Sequence, residues 1–495
     1  MKSIVLNRAE YRDKVYACWL GKNVGGTLGA PYEGQKCYHD LSFYDPVPDQ
    51  SAPNDDLDFQ LVWLVMLEEV GIPPRLADLA RYWRQYLHKY PWNEYGFCNR
   101  NLDRGLMPPI CGWFENYFVD EMGSPIRSEI WACTAPADPQ TAAALAWMDS
   151  AMDHSGGEGT HGEMFWAAVE SAAFVLNNPM ELIRLGLAMI PPACLTSRAI
   201  REVVWCRRNG LDYRDARERL KQIYFHEQPC NAVLNQAFIV IGWLYGKDFA
   251  DCLCKAVNCG FDTDCTGATL GALLGILGGR ESIPKPWSDP IGTDIVLHEF
   301  TIDCGVPKTL DELTERTASL AQKAASRGDS TLAFGETAPL PADILSILHR
   351  NEKALEALRQ DIRCGAASDG DLEIFLHYNG DPVLYPNIVR RMHVTCRRNG
   401  DPITAVVSLE GPGHWQILPV PQSLPPAYYI LATATDRPEK LRVSVVCGDS
   451  AGSAEFTVLG PRDAQGFPNI TQSTQWSPGM KVKKFPGRTI AFEEP

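Results

Sequence analysis

The stretch CGFDTDCTGATLGALLGILGG, residues 259 to 279, joins an Asp-x-Asp pair in a glycine-flanked turn to glycines at 267, 271 and 275. Residues four apart share one face of a helix, so such a stripe lets a second backbone approach closely. GKNVGGTLGAPYEG, residues 21 to 34, carries a matching stripe at Gly21, Gly25 and Gly29. A third segment, PNDDLDFQ at residues 53 to 60, sets Asp55 and Asp56 where a helix should begin, after Pro53 and Asn54. Taken singly, Asp55, Asp56 and Asp264 read as helix caps or first-turn acids facing the positive end of a dipole. Asp262 is one carboxylate more than a cap requires. If the two aspartate pairs meet where these helices converge, four carboxylates share one small volume, which their repulsion forbids unless cations occupy it. Hard oxygen donors select magnesium, manganese or calcium over zinc.

Outward from these segments, apolar residues recur at three- and four-residue spacing from Tyr11 to about residue 325, which predicts a run of helices, one of them from Asp55 or Asp56 to Gly71. Residues 326 to 343 mix glycine, proline and small polar residues as a connector would, and ILSILHRNEKALEALRQDI, residues 344 to 362, reads as a closing helix. After Gly365 the pattern changes to short β-branched and aromatic runs separated by turn signals such as Asn399-Gly400-Asp401. The expectation is a mainly all-α, multi-helix domain over residues 1–355, followed by a smaller antiparallel β-sandwich over residues 366–495.

At 495 residues the chain exceeds what one core usually supports, and its net charge of -15 argues against a general affinity for nucleic-acid backbones. The first twenty residues are broken by Arg8, Glu10, Arg12, Asp13 and Lys14, so no signal peptide is expected, and the apolar run from Gly271 to Gly278 is too short to span a membrane. The 16 cysteines are expected to be reduced thiols in a cytoplasmic protein. Cys252, Cys254, Cys259 and Cys265 lack the paired spacing of a zinc site.

In order and separation, the three segments resemble those of the ADP-ribosylglycohydrolase family, also called the dinitrogenase-reductase-activating glycohydrolase family. There, a G-x-x-x-G-D-x-x-G-x-P-x-E stretch, a T-D-D-T motif and a G-x-D-T-D-T/S motif surround two magnesium ions. The resemblance runs from residue 15 to about residue 280. RNLDRGLMPPICGWFENYFVDEMGSPIRSEIW and HSGGEGTHGEMFWAAVESAAF are similar to a longer bacterial branch with a C-terminal β-domain. The resemblance implies an orthogonal multi-helix fold and a hydrolase acting on the N- or O-glycosidic bond of an ADP-ribosyl group, on a modified protein or a small molecule. Carried over by position, Asn54, Asp55, Asp56, Asp262 and Asp264 match metal ligands, with Asp264 bridging, and Glu33 matches the glutamate that handles the attacking water. Catalytic roles are thus implied for Glu33, Asp55 and Asp264, and substrate contacts for Gly159 and His161.

The chain departs from the family at four positions. Asn54 replaces threonine, Leu57 replaces the last threonine of T-D-D-T, Gly26 replaces the usual aspartate, and Cys265 stands where a hydroxyl-bearing ligand is expected. A thiol is a poor partner for magnesium, so one of the two positions is implied to be weakened, to favour manganese or to be empty. Two other readings stay open: a nucleoside or sugar-conjugate glycosidase, and a non-catalytic ADP-ribose or sugar binder. Trp113, Tyr117, Trp131 and Trp166 could stack on a ring, but aromatics at helical spacing are core residues by default. His154 reads as a helix-end residue.

Overall fold

The computed structural model describes residues 4–327, 332–433 and 437–461, and the backbone of 481–485 and 488–492. The rest of the expected β-domain, and part of the expected connector, lie outside the described residues. Two compact units are present: one of Met1–Pro74, Asp120–Ser150 and Gly157–Arg359, the other of Arg75–Val119, Ala151–Gly156 and Gln360–Pro495. The change from helical to strand sequence near residue 360 and the partition by packing therefore follow different lines.

The first unit is helical. Its centre is the pair of helices Arg8–Gly29 and Thr263–Gly278, both buried along most of their length. Their glycine stripes face each other: a Cβ added at Gly21, Gly25 or Gly29 would lie under 3.0 Å from backbone atoms of Gly271, Gly267 or Thr263, and one at Gly275 under 3.0 Å from Ala17. The close backbone approach read from the sequence is what the fold uses. Thr263 locks the end of this pair by donating its hydroxyl to Gly29 O at 2.8 Å.

Around the pair stand Asp55–Val70, Glu158–Ala173 and Ala232–Tyr245, whose sequences are apolar nearly all round because they are covered on all sides. Outer helices such as Tyr213–Tyr224 and Leu310–Ala325 bury one stripe only. The helix expected at Asp55 begins there, capped by Asn54, and ends before Gly71, whose φ of 85° suits glycine. Two expectations need correction. Leu332–Gly335, inside the expected connector, is a strand that pairs in parallel with Ile4–Asn7. The expected closing helix is split into Ile344–Leu348 and Glu352–Leu358, with Asn351 at the break donating to Ala188 O at 2.8 Å.

The second unit carries antiparallel sheets. One runs in the order Cys364–Asp369, Leu372–His377, Arg390–Arg398, Ala427–Ala432, Trp415–Pro419, a second in the order Ser450–Val458, Glu439–Cys447, Val406–Glu410, and a third pairs Lys481–Phe485 with Arg488–Phe492. Period-2 burial of Leu441, Val443 and Val445 turns one face of the second sheet inward. Asn399 and Gly400, at φ 52° and 89°, lie in the turn expected at Asn399-Gly400-Asp401 and close a two-residue hairpin between Arg398 and Asp401. Arg75–Val119 belongs to the same core: Ala366 N–H donates to Pro108 O at 2.9 Å, and Arg75 Nη1 donates to Gly370 O at 2.8 Å. His154, read as a helix-end residue, is wholly buried in this unit, with Nδ1 3.0 Å from Asp153 Oδ1.

Candidate metal centre

Three loops meet at one end of the central helix pair. The first follows Gly29 through a short turn, Ala30–Tyr32, to Glu33. It is fastened to the turn before Asp262: Gly34 N–H donates to Phe261 O and Phe261 N–H to Gln35 O, both at 2.8 Å, while the Asn258 side chain pairs with both backbone groups of Leu41. Gly260 and Phe261 are left-handed, at φ 75° and 73°, so the chain turns sharply and delivers Asp262 and Asp264 to the start of their helix. The third loop is tied down where Ala52 N–H donates to Thr27 Oγ1 at 3.0 Å. Asn54 Oδ1 then accepts from Asp56 N–H at 2.8 Å. An added Cβ at Gly26 would lie 2.5 Å from Asn54 Nδ2, so two departures from the family pattern, Gly26 and Asn54, share one space.

Side-chain ligand atoms of Asp56, Asp264 and Cys265 lie within 4.8 Å of one another, and so do those of Glu33, Cys230 and Asp262. Asp56, Asp262 and Asp264 are 0%, 1% and 8% exposed, so bulk water does not serve their carboxylates. Asp56 Oδ2, both side-chain oxygens of Asp262 and Asp264 Oδ1 are buried without a hydrogen-bond donor. Unmet acceptors of this kind are costly in a protein interior. Burial raises the Asp56 carboxyl well above the usual range; Lys22 opposes this, and Asp264 and Asp55 add to it. Burial, Asp264 and Glu33 likewise raise Asp262. Asp264 is pushed up to about 6 by burial, with the adjoining Asp262 carboxyl opposing the shift and the charge of Asp55 adding to it. Four oxygens lacking donors, on three acids whose proximity disfavours their charged forms, fit hard cations.

Cys265 points into this centre and not into helix packing: its Sγ lies 3.5 Å from Asp56 Oδ1. Burial and the surrounding aspartates raise its pKa well above the ordinary thiol value, so it stands there as a neutral thiol. Leu57, by contrast, is core. Beneath the acids, buried Lys22 pairs with Glu129 at 2.8 Å, and Gln60 Nε2 bridges Glu129 Oε2 at 2.7 Å and Asp56 O at 2.8 Å. Asp58 Oδ2 accepts from His298 N–H at 2.8 Å and Thr301 Oγ1 at 2.6 Å, fastening a distant loop to the same helix.

Glu33, Asp55, Asp56, Asp262, Asp264 and Cys265, all expected from the sequence, come together here; Asp55 is half-buried, and its charge acts on Asp56 and Asp264. Cys230, Glu121 and the Lys22–Glu129 pair are not among the residues expected from the sequence. Cys230 arrives because Met122 N–H donates to its carbonyl at 2.9 Å. Next to it in that strap, Glu121 is buried and is pushed up to about 8 by burial and by Asp120. Gly159 and His161 lie in the first turn of Glu158–Ala173, where Glu158 N–H donates to Asp120 Oδ1 at 2.7 Å. His161 clusters with Glu158 and Cys194. Burial works against its charge, but hydrogen bonds to Cys194 and Glu158 prevail and hold it at about 9. Trp131 and Trp166 are core, donating to Asp149 and Gln236, and Tyr117 is exposed.

Among the described residues, no helix is long and apolar enough to cross a membrane. No curated protein matches the chain. Among solved structures, one described as an ADP-ribosylglycohydrolase-related protein complex is similar at 21% identity and a TM-score of 0.44, over 63% of this chain and 97% of that one. The sequence model of ADP-ribosylglycohydrolase matches residues 7–329, which hold every residue of the acidic centre. With that match spanning most of its length, this chain belongs to the ADP-ribosylglycohydrolase family.

Proposed function

We propose that the chain is a metal-dependent glycohydrolase that cleaves the N- or O-glycosidic bond of an ADP-ribosyl or related ribosyl group. The observation that carries this reading is the set of buried carboxylate oxygens without donors on Asp56, Asp262 and Asp264. Asp55, Asp56 and Asp264 would hold one magnesium or manganese ion, with Asn54 and Cys265 at its edge, and Asp262 and Asp264 would hold a second. A bound ion of this kind supplies orientation of ribose hydroxyls and water, and charge stabilisation at the anomeric carbon. Glu33, exposed and beside Asp262, suits a group that takes a proton from water. A carboxylate close to the anomeric carbon also favours an oxocarbenium-like transition state. Lys22 balances Glu129 and part of the charge on Asp56, which keeps the floor of the centre rigid.

Glu33→Gln is expected to lower kcat by about 100-fold or more while changing metal affinity little, as loss of a general base does. Turnover of ADP-ribosyl-arginine, ADP-ribosyl-serine, O-acetyl-ADP-ribose and common nucleosides, with magnesium and with manganese, tests both substrate and role. Equal losses in rate and metal affinity would make Glu33 a ligand instead.

Cys265 and Asn54 favour a second reading, in which the chain binds ADP-ribose or a sugar without turnover. Asn54 Oδ1 already serves as a helix cap, and Cys265 offers sulfur where magnesium prefers oxygen. Cys265→Thr is accordingly expected to raise magnesium affinity at the weaker position and to narrow the preference for manganese, by isothermal titration with each metal. Indistinguishable affinities would remove Cys265 from the ligand set.

A further inference from the structure

A second cluster of metal-binding side chains lies outside the acidic centre. Glu158 and His161 stand one turn apart at the start of Glu158–Ala173, and Cys194 immediately precedes the helix Leu195–Arg208. One carboxylate oxygen, one ring nitrogen and the sulfur lie within 4.8 Å of one another. His161 Nδ1 is 3.3 Å from Glu158 Oε2. Four-coordinate zinc, with oxygen and nitrogen ligands at about 2.0–2.1 Å, sets neighbouring donors roughly 3.3–3.4 Å apart, so this edge of the tetrahedron is already formed.

The donors are also held in orientation. Glu158 Oε1 accepts from Leu195 N–H at 2.8 Å and Oε2 from Thr196 N–H at 2.9 Å, while Cys194 Sγ accepts from Ser197 N–H at 3.4 Å. Outer hydrogen bonds of this kind aim ligands in metal sites and are part of their affinity. Each of the three side chains is half-buried, which leaves a direction open to solvent. The donor set is the chemical opposite of the all-oxygen centre: imidazole and sulfur beside one carboxylate select a borderline ion over magnesium.

We propose that Glu158, His161 and Cys194 form a zinc site with three protein ligands and a water-accessible fourth position. The ion joins the first turns of two helices and takes His161 away from the substrate contact that the family resemblance implies for it. This site does not depend on the acidic centre, because magnesium is not its metal.

The test is a cobalt titration of the full chain, followed by the thiolate-to-cobalt charge-transfer band, together with zinc competition against a chromophoric chelator. The natural protein should develop the band, and Cys194→Ser should lose it and weaken zinc binding by more than about 100-fold, beyond the effect of losing an outer hydrogen bond. Cys265→Ser and Cys230→Ser, which alter the thiols near the aspartates, should keep the band. If Cys194→Ser does not fold, His161→Gln carries the same expectation for zinc affinity. A band that survives both variants, or that disappears in Cys265→Ser or Cys230→Ser alone, overturns the assignment. So does a His161→Gln protein with altered KM for an ADP-ribosyl substrate and unchanged zinc affinity, which would return His161 to the substrate.

Discussion

Gly25→Ala is expected to destabilise the protein by at least about 3 kcal/mol, the upper range for overpacking, because its methyl group has nowhere to go. The atoms it meets are the carbonyl carbon and oxygen of Gly267 and the amide of Ala268, all backbone, so no side-chain rotation relieves the overlap. The two central helices would have to separate, and Asp262 and Asp264 sit at the end of one of them. Gly34→Ala is the control. Gly34 has φ 82° and open space around its Cβ position, so that substitution should cost only about 1–2 kcal/mol of backbone strain. Denaturant midpoints of the two variants measure the difference; equal losses would mean that the stripe is not a packing requirement.

Asp264→Asn is expected to abolish the stabilisation that magnesium or manganese confers and to lower kcat/KM by at least about 1000-fold, since charge stabilisation by a bound ion is worth several kcal/mol. The same substitution should have the opposite sign without metal. Asp264 is held at about 6 in the fold against an ordinary value of 3.8. The folded state therefore binds this proton more tightly than the unfolded chain does. Its contribution to stability is complete below about pH 4 and is lost as pH rises through about 6. Asparagine carries no such loss, so at pH 7 in chelator Asp264→Asn should melt above the natural protein, with a flatter dependence between pH 4 and pH 6. Melting curves across that range, with and without metal, read both signs.

Much of this was legible in the sequence because it is local. Glycines four apart announce a close helix pair, Pro53 and Asn54 ahead of two acids announce a helix start, and Asn399-Gly400-Asp401 announces a turn. The acids of the centre were legible as residues, and their meeting only through the family resemblance, since it depends on loops fastened across the fold, such as Gly34 to Phe261. Cys230 and Glu121 carry no local pattern at all. Cys230 comes to the centre through the pairing of its carbonyl with Met122 N–H, more than a hundred residues apart, which periodicity cannot report. The strand Leu332–Gly335 was hidden for a similar reason: it is four residues long, and its partner, Ile4–Asn7, lies at the other end of the unit. The companion departures Gly26 and Asn54 looked like two separate losses in sequence and become one steric event in three dimensions.

Calorimetric titration of the chelator-treated full chain with magnesium and with manganese, beside the Asp262→Asn/Asp264→Asn double variant, reads whether Asp56, Asp262 and Asp264 together hold a hard divalent cation. At least one ion should bind per natural chain and none in the folded double variant. Absence of binding to the natural chain, or binding that the double variant retains unchanged, would mean that these aspartates do not form a metal centre.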